Sequence, residues 1–510
     1  MNTMDKKEII EKVLRPLEKA GFKAYFVGGC VRDAIMGIKP HDYDVCTDAT
    51  PEEIKKVFSH ISEMSENAEP FGVTMPVIDG ELIEIATMRE DITKGRHPEV
   101  KFTKVLEKDA ERRDFTMNAL YEDADGNIID PTGGKADIEN KVLRFVGSME
   151  ARCNEDPLRI FRAVRFQAKT GFTPAFGEIE LSNVASKLVE SGRFEEVSKE
   201  RQLKELEGIF GGKHFNKAFV GEGSLFFPSL VPDIIGMRPI IDSLMATNQS
   251  FKWHAEGSAI KTERFPTGTF VEKPEDLEGF KELITLGDAW THTRKVMENM
   301  FDELNKTDFE THKRFLMMLA AFLHDIGKPI AAEKLGTKHS EFEVNGVKII
   351  EDVLKVTSHD VDGEIPAHDF CKSLGLTNKE CHFIAELVKH HMRAHQIGDM
   401  KNKARLWKFV QKYYFKELVM LARADEKGCI KTQSDEWSGI DGALERPDIK
   451  ALVETPLPKP LIDGKVLIAH GFEPAPSFKK MIDVAFENQI NKSITDVEFL
   501  VKLVKGIYTR

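Results

Sequence analysis

Residues 7–20 place apolar positions at helical spacing, and the stretch KAYFVGG that follows reads as a short buried strand ending in a glycine turn. CVRDAIMG after it has helical character. HDYDVCTDA sets Tyr43, Val45 and Cys46 in an extended pattern and predicts a strand. TPEEIKKVF opens with a threonine cap and a proline at the first helical position. VTMPVIDGELIEIATMRE reads as two strands turning at Asp79-Gly80. Residues 1–147 therefore mix strands and helices in an α+β head. Beyond Gly147 the strand pattern nearly vanishes. Amphipathic helices occupy 148–211, and an irregular segment rich in Gly, Pro, Phe and Ser fills 212–283. Helices holding most of the histidines return over 284–450. ETPLPKPLIDG reads as a linker into a helical tail within 451–510.

A chain of 510 residues exceeds one hydrophobic core, so several domains are expected. Hydrophobic residues at 41% and charged residues at 31% fit a soluble globular protein. No run of eighteen apolar residues is present, which predicts no membrane span. The N-terminal MNTMDKKEIIEKVL is charged rather than signal-like. The cysteines are scattered without a CxxC pair, which favours reduced thiols and a cytoplasmic location. A net charge of −12 argues against coating nucleic acid through bulk charge, but leaves room for a local basic groove.

YFVGGCVRDAIMG…HDYDV gathers unusual chemistry into one short segment. Gly28 and Gly29 let exposed backbone N–H groups approach a ligand, and the following helix adds its positive end. Arg32 falls in the first turn of that helix. Asp42 and Asp44, at i and i+2 on the expected strand, share a face. Two carboxylates on one face repel unless a divalent cation lies between them, and Mg2+ suits an all-oxygen set that includes substrate phosphates. ELIEIATMRED offers Glu84 as a third carboxylate, between Ile83 and Ile85.

These residues resemble the signature of class II tRNA nucleotidyltransferases, the CCA-adding enzymes, and of the related bacterial poly(A) polymerases. Later segments are similar to further family motifs, in order: RRDFTMNALYED with Arg113, Asp114 and Asn118; DPTGGKADIENKVLRFVG; EDPLRIFRAVRF with Glu155, Asp156, Arg159, Arg162 and Arg165; and SKERQLKELEGIF. The resemblance covers about residues 20–210. It implies a DNA polymerase beta-like head with a mixed sheet, then a helical neck, an HD-bearing body and a tail. It also implies template-independent transfer of C and A from CTP and ATP to a tRNA 3′ end, with release of pyrophosphate. Asp42 and Asp44 then hold Mg2+, with Glu84 as the third catalytic carboxylate. Gly28, Gly29, Arg32, Arg113, Asp114 and Asn118 bind the nucleotide. Asp156, Arg159 and Arg162 recur at i, i+3 and i+6, so they are expected on one helix face, where a carboxylate and a guanidinium can select C and A over U and G. Arg162 and Arg165 support that pair or the phosphates. A poly(A) polymerase, or an enzyme adding only C or only A, shares the same head.

FLHDIGKP lies in an apolar helix, with His292 upstream and LARADEKG downstream. The order H…HD…D resembles an HD-type metal-dependent phosphohydrolase and implies His292, His324, Asp325 and Asp425 as ligands of a second divalent ion (Mg2+, Mn2+ or Ni2+). Cyclic phosphates and phosphomonoesters are the implied substrates. His359-Asp360 is one of several other His-Asp pairs given no part in this site. Phe342 stands where many such domains have a histidine, which predicts one ion there rather than two. The reading from a different class is a phosphohydrolase whose head only senses nucleotide.

Overall fold

The computed structural model describes residues 4–40, 42–62, 69–93, 99–219, 221, 223–227, 229–247, 269–271, 288–344, 347–428 and 439–508; for 269–271, 337–344 and 347–354 it describes the backbone alone. The chain forms two compact units, Met1–Arg238 with Glu310–Phe315, and Pro239–Phe309 with Leu316–Arg510.

The first unit opens with a helical stretch, Lys6–Ile9 to Arg15–Lys19, whose apolar side buries Ile9, Val13, Leu14 and Leu17. Its sheet runs in the order Ile128–Ile129, Tyr121–Glu122, Ala24–Val27, Val45–Thr47, Ile85–Thr87, Val73–Thr74. Ala24–Val27 pairs antiparallel with both neighbours, while Val45–Thr47 runs parallel to Ile85–Thr87. That parallel step needs a crossover, which the helix Pro51–Val57 begins. Thr50 caps this helix through a capping box with Glu53, as the sequence predicts. Asp79 and Gly80, both at positive φ, join Val77–Ile78 to Glu81–Leu82 in the predicted two-residue hairpin. The expected strand at HDYDVCTDA is shorter than read. It begins at Val45, leaving Asp42 and Asp44 as the approach to it.

After the head come the helices Met149–Glu155, Leu158–Thr170, Glu178–Glu190 and Lys199–Phe210. Phe210, Phe215, Phe219 and Phe226 bury their rings against one another, which accounts for the phenylalanine-rich composition beyond residue 210.

The second unit is built mainly of helices, among them Ala289–Leu304, Glu364–Ser373, Asn378–His395 and Phe415–Gly428. A hairpin, Thr337–Val344 with Val347–Leu354, interrupts them where the sequence predicts helix. EFEVNGVKI carries the period-two alternation and Asn-Gly pair of a hairpin, a signal that the helical reading of 284–450 passed over, and the Phe342 side chain lies outside the described residues. Thr311–Leu335 is long and apolar enough to cross a membrane, but 89% of its most apolar window is buried inside the protein, as in a core helix. The tail helices Phe478–Asn491 and Val497–Tyr508 close their own cluster around Leu467, Met481, Leu500 and Val504. The described cysteines Cys30, Cys46, Cys153, Cys371 and Cys381 are all free and buried.

Candidate active site and metal centre

Register assembles the head site at one end of the sheet. Val45 lies opposite Ile85 in the parallel pair, so Asp44 and Glu84, each one residue earlier, meet at the same end. Phe26 opposes Val45 in the antiparallel pair, and the Val27 amide donates to the Asp44 carbonyl at 3.0 Å, so Gly28 and Gly29 leave their strand at that end too. Tyr121 opposes Val27, and the Gly28 amide donates to the Leu120 carbonyl at 3.1 Å, which brings the 113–118 segment alongside. Gly28 has φ 75°, in the left-handed region, and an added Cβ would lie 3.6 Å from Arg113 Nη1.

Asp42, Asp44 and Glu84 are exposed while the hydrophobic residues beneath them are buried. Desolvation by nearby atoms, with the Glu84 and Asp42 charges, raises the Asp44 carboxyl to about 6. Desolvation and Asp42 also raise Glu84. The three interact but do not converge within 4.8 Å of one another, as three anions with no cation between them would not.

Arg32, expected to face a triphosphate, lies 3% exposed. Its Nε donates to Asp33 at 2.7 Å and its Nη1 to Asn118 at 2.6 Å. Asn118 in turn donates to Asp114 at 3.1 Å, and Asp114 accepts from Arg162 Nε at 2.7 Å. Burial pushes the Asp114 carboxyl up, but Arg162 and the Asn118 hydrogen bond outweigh it and hold it at about 2. Arg113 is pinned differently, by Asp109 at 3.0 Å and Tyr121 at 3.1 Å. Arg32, Arg162 and Arg165 all stack on the buried Phe166 ring, at 5.3, 5.5 and 4.5 Å from its centroid. No sequence signal marked Phe166 as their common platform.

Asp156 departs from the expected helical face. It is extended, with φ −140° and ψ 107°, at the break between Met149–Glu155 and Leu158–Thr170. Pro157 imposes this, because the residue before a proline disfavours helical angles. Arg159 and Arg162 do lie on the following helix. Arg159 donates to Glu155 at 2.6 Å and to the Arg112 carbonyl at 2.8 Å. Asp156 accepts from the Leu158 amide at 3.1 Å and from Arg201 at 2.8 Å. Arg165 donates to Glu205 at 2.5 Å. Arg201 and Glu205 went unmarked in the sequence, although their i,i+4 spacing in SKERQLKELEG places both on one helix face turned to these partners.

In the second unit His292, His324 and Asp425 form one buried group of possible metal ligands, and Asp325, His359 and His391 form another. The first joins His292 Nε2 to Asp425 Oδ1 at 2.9 Å. His359, set aside in the sequence, is thereby placed beside Asp325 at 3.2 Å. It was hidden because a His-Asp dipeptide carries no information until a fold brings it near other ligands. His395 donates to Asp425 Oδ2 at 2.7 Å and braces that ligand from outside. His292 turns Nε2 to Asp425 and to His324 Nε2, and Asp325 Oδ2 pairs with the Lys328 ammonium at 2.5 Å. Residue groups of this composition suit a divalent metal.

Residues 24–144 match the family described as Poly A polymerase head domain, and residues 289–426 match the HD domain. A CCA-adding enzyme of Bacillus subtilis (strain 168) is 39% identical over 240 residues, covering 46% of this chain and 58% of the relative. One of Geobacillus thermodenitrificans (strain NG80-2) is 37% identical over 203 residues, covering 39% and 48%. The chain thus matches about half the length of these curated relatives. Over nearly the whole chain the fold is that of a Bacillus stearothermophilus CCA-adding enzyme solved in complex with CTP, with TM-score 0.57, 20% identity, and coverage of 99% of this chain and 98% of that one. A Thermotoga maritima CCA-adding enzyme complexed with tRNA gives TM-score 0.55 at 18% identity, covering 99% and 96%.

Proposed function

We propose that this chain, which joins a Poly A polymerase head domain to an HD domain on the fold of the CCA-adding enzymes, adds CCA to tRNA 3′ ends from CTP and ATP without a nucleic-acid template. The observation that carries the reading is the meeting of Gly28–Gly29, Asp44, Glu84 and the Arg113–Asn118 segment at one sheet end. Asp42 and Asp44, with Glu84, would hold Mg2+, for which an all-carboxylate set is suited. Mg2+ held there would supply Lewis-acid activation of the attacking 3′-oxygen and charge stabilisation for the leaving pyrophosphate. The chain's own residues do the positioning. Gly28 and Gly29 open the backbone to the triphosphate. Arg32 and Asn118 fix that turn from beneath. Asp114, held ionised by Arg162, links the head to the helix bearing Arg159. Asp156 and Arg159 read the base: a carboxylate accepts from the exocyclic amino group of C or A, and a guanidinium donates to the adjacent ring acceptor. Each such two-bond contact discriminates by about 1–3 kcal/mol.

The segments 1–147, 148–211, 212–283, 284–450 and 451–510 serve as head, neck, connector, HD body and tail, working in the cytoplasm. The HD body acts as a metal-dependent phosphohydrolase. Its imidazole-rich ligands favour Mn2+ or Ni2+ over Mg2+.

The test is incubation of tRNA lacking its 3′ end with labelled CTP and ATP. Addition of CCA is expected, and its loss in Asp42→Ala or Asp44→Ala with tRNA binding unchanged. Near-normal turnover in either variant overturns the head assignment; a long A tract as product indicates a poly(A) polymerase.

A further inference from the structure

Asp109 does more than pin Arg113. It sits on the short helix Leu106–Glu111 and is 0% exposed. Its Oδ1 accepts from Arg112 Nε at 2.9 Å, from Arg112 Nη2 at 2.6 Å and from the Arg89 amide at 3.3 Å. Its Oδ2 accepts from Arg113 Nε at 3.2 Å, from Arg113 Nη2 at 3.0 Å and from the Tyr121 hydroxyl at 2.7 Å. The Cys46 thiol lies 3.9 Å from Oδ2 on the buried side. Burial pushes the Asp109 carboxyl up, but the Arg113 and Arg112 charges and the Tyr121 hydroxyl outweigh it and hold it at about 2. Asp109 is thus an anion at neutral pH, answered by two guanidiniums.

The two arginines matter for different reasons. Arg113 turns Nε and Nη2 to Asp109, and this side-on grip leaves Nη1 toward the glycine turn, where a Cβ on Gly28 would lie 3.6 Å from it. Tyr121 steadies the same guanidinium, accepting from Nε at 3.1 Å with its ring centroid 5.2 Å from Cζ. Arg112 contributes its backbone, because its carbonyl accepts from Arg159 Nη2 at 2.8 Å. A carbonyl moves only with its peptide, and the Arg112 side chain on Oδ1 holds that peptide in place. We infer that Asp109 is a positioning residue for nucleotide selection: through Arg113 it sets the donor that faces the glycine turn, and through the Arg112 peptide it sets Arg159 against the base. This rests on the nucleotidyltransferase reading proposed above. It adds that grip on the nucleotide and choice of base share one buried anchor, so a single substitution disturbs both.

The test uses the full chain, tRNA lacking its 3′ end, and each of the four nucleoside triphosphates in turn. Asp109→Asn keeps the shape and removes the charge. It is expected to raise the KM for CTP and ATP about ten-fold, with a smaller change in kcat, and to loosen selection over UTP and GTP by a similar factor. Tyr121→Phe removes only the hydroxyl on Oδ2 and is expected to raise the KM for CTP about three-fold with base selection kept. Adding Asp109→Asn to Arg113→Gln is expected to change KM little further while still loosening base selection, because the first effect runs through Arg113 and the second does not. An Asp109→Asn chain that is folded by thermal melt and keeps the parental KM and relative rates overturns the inference. An equal loss of kcat with all four nucleotides at unchanged KM assigns Asp109 to the fold alone and overturns it too. KM effects of Asp109→Asn and Arg113→Gln that add in full remove Arg113 from the path and overturn the shared anchor. If Asp109→Asn does not fold, a parental KM in Tyr121→Phe overturns the inference. A parent chain that adds no nucleotide overturns the proposed function and this inference with it, whereas the preceding outcomes leave that function standing.

Discussion

Both oxygens of the Asp156 carboxylate are engaged, one by the Leu158 amide and one by Arg201. The first contact fixes the backbone break that Pro157 imposes; the second fixes the side chain's rotation. A base-reading carboxylate discriminates only while its oxygens are held where the amino group arrives. On the proposed base-reading role of Asp156, Arg201 acts through it and is a positioning residue. Arg201→Ala is expected to loosen selection of CTP and ATP over UTP and GTP by roughly ten-fold, the scale of about 1.4 kcal/mol of lost contact. Arg201→Lys, which keeps charge but loses the planar fork, should recover part of it. Relative rates with the four nucleotides give the readout. A general loss of rate with selectivity intact would show that Arg201 is only structural.

At the scale of elements, the turn, cap and strand signals were legible because each is local. Gly28, Thr50 and Asp79-Gly80 do in the fold what their residue types require in isolation. Asp156 was misread because i,i+3 spacing presumes a helix that Pro157 delays. His359 and Arg201 were missed because their roles exist only where separate helices meet. Such junctions also set stability. The Asp114 carboxyl is held at about 2 against an ordinary value of 3.8. A depressed carboxylate stabilises the fold above its unfolded value, and that stability is lost as pH falls toward 2. The shift corresponds to about 2 kcal/mol. The destabilisation caused by Asp114→Asn should therefore be full at pH 6 and nearly absent at pH 2, as measured by denaturant unfolding at each pH. In the HD unit a Cβ on Gly327 would fall 2.0 Å from the His359 carbonyl and 2.5 Å from the Gly363 amide. Backbone cannot yield as a side chain does. Gly327→Ala should cost about 1–3 kcal/mol and weaken Mn2+ binding by displacing His359, seen as a lower melting temperature and a reduced metal count.

At the scale of the molecule, the two chemical centres belong to different compact units, each with its own buried core. The head carboxylates Asp42, Asp44 and Glu84 are exposed, whereas His292, His324, Asp325 and Asp425 are buried. None of the residues proposed to bind the nucleotide, Gly28 to Arg165, is His324 or Asp325, which lie more than 150 residues further along the chain. Replacing both by His324→Gln and Asp325→Asn nearly keeps their volume while removing one candidate metal-binding nitrogen and one buried carboxylate charge. A metal centre stripped of such ligands no longer holds its ion in geometry. The double variant should retain CCA addition within a few-fold of the parent and lose any metal-dependent hydrolysis of phosphate esters. Both assays are run on one preparation, with a thermal melt to show that it is folded. A folded variant that loses nucleotide addition would mean that the HD centre controls the head. A folded variant that still hydrolyses phosphate esters would move the hydrolytic centre away from His324 and Asp325.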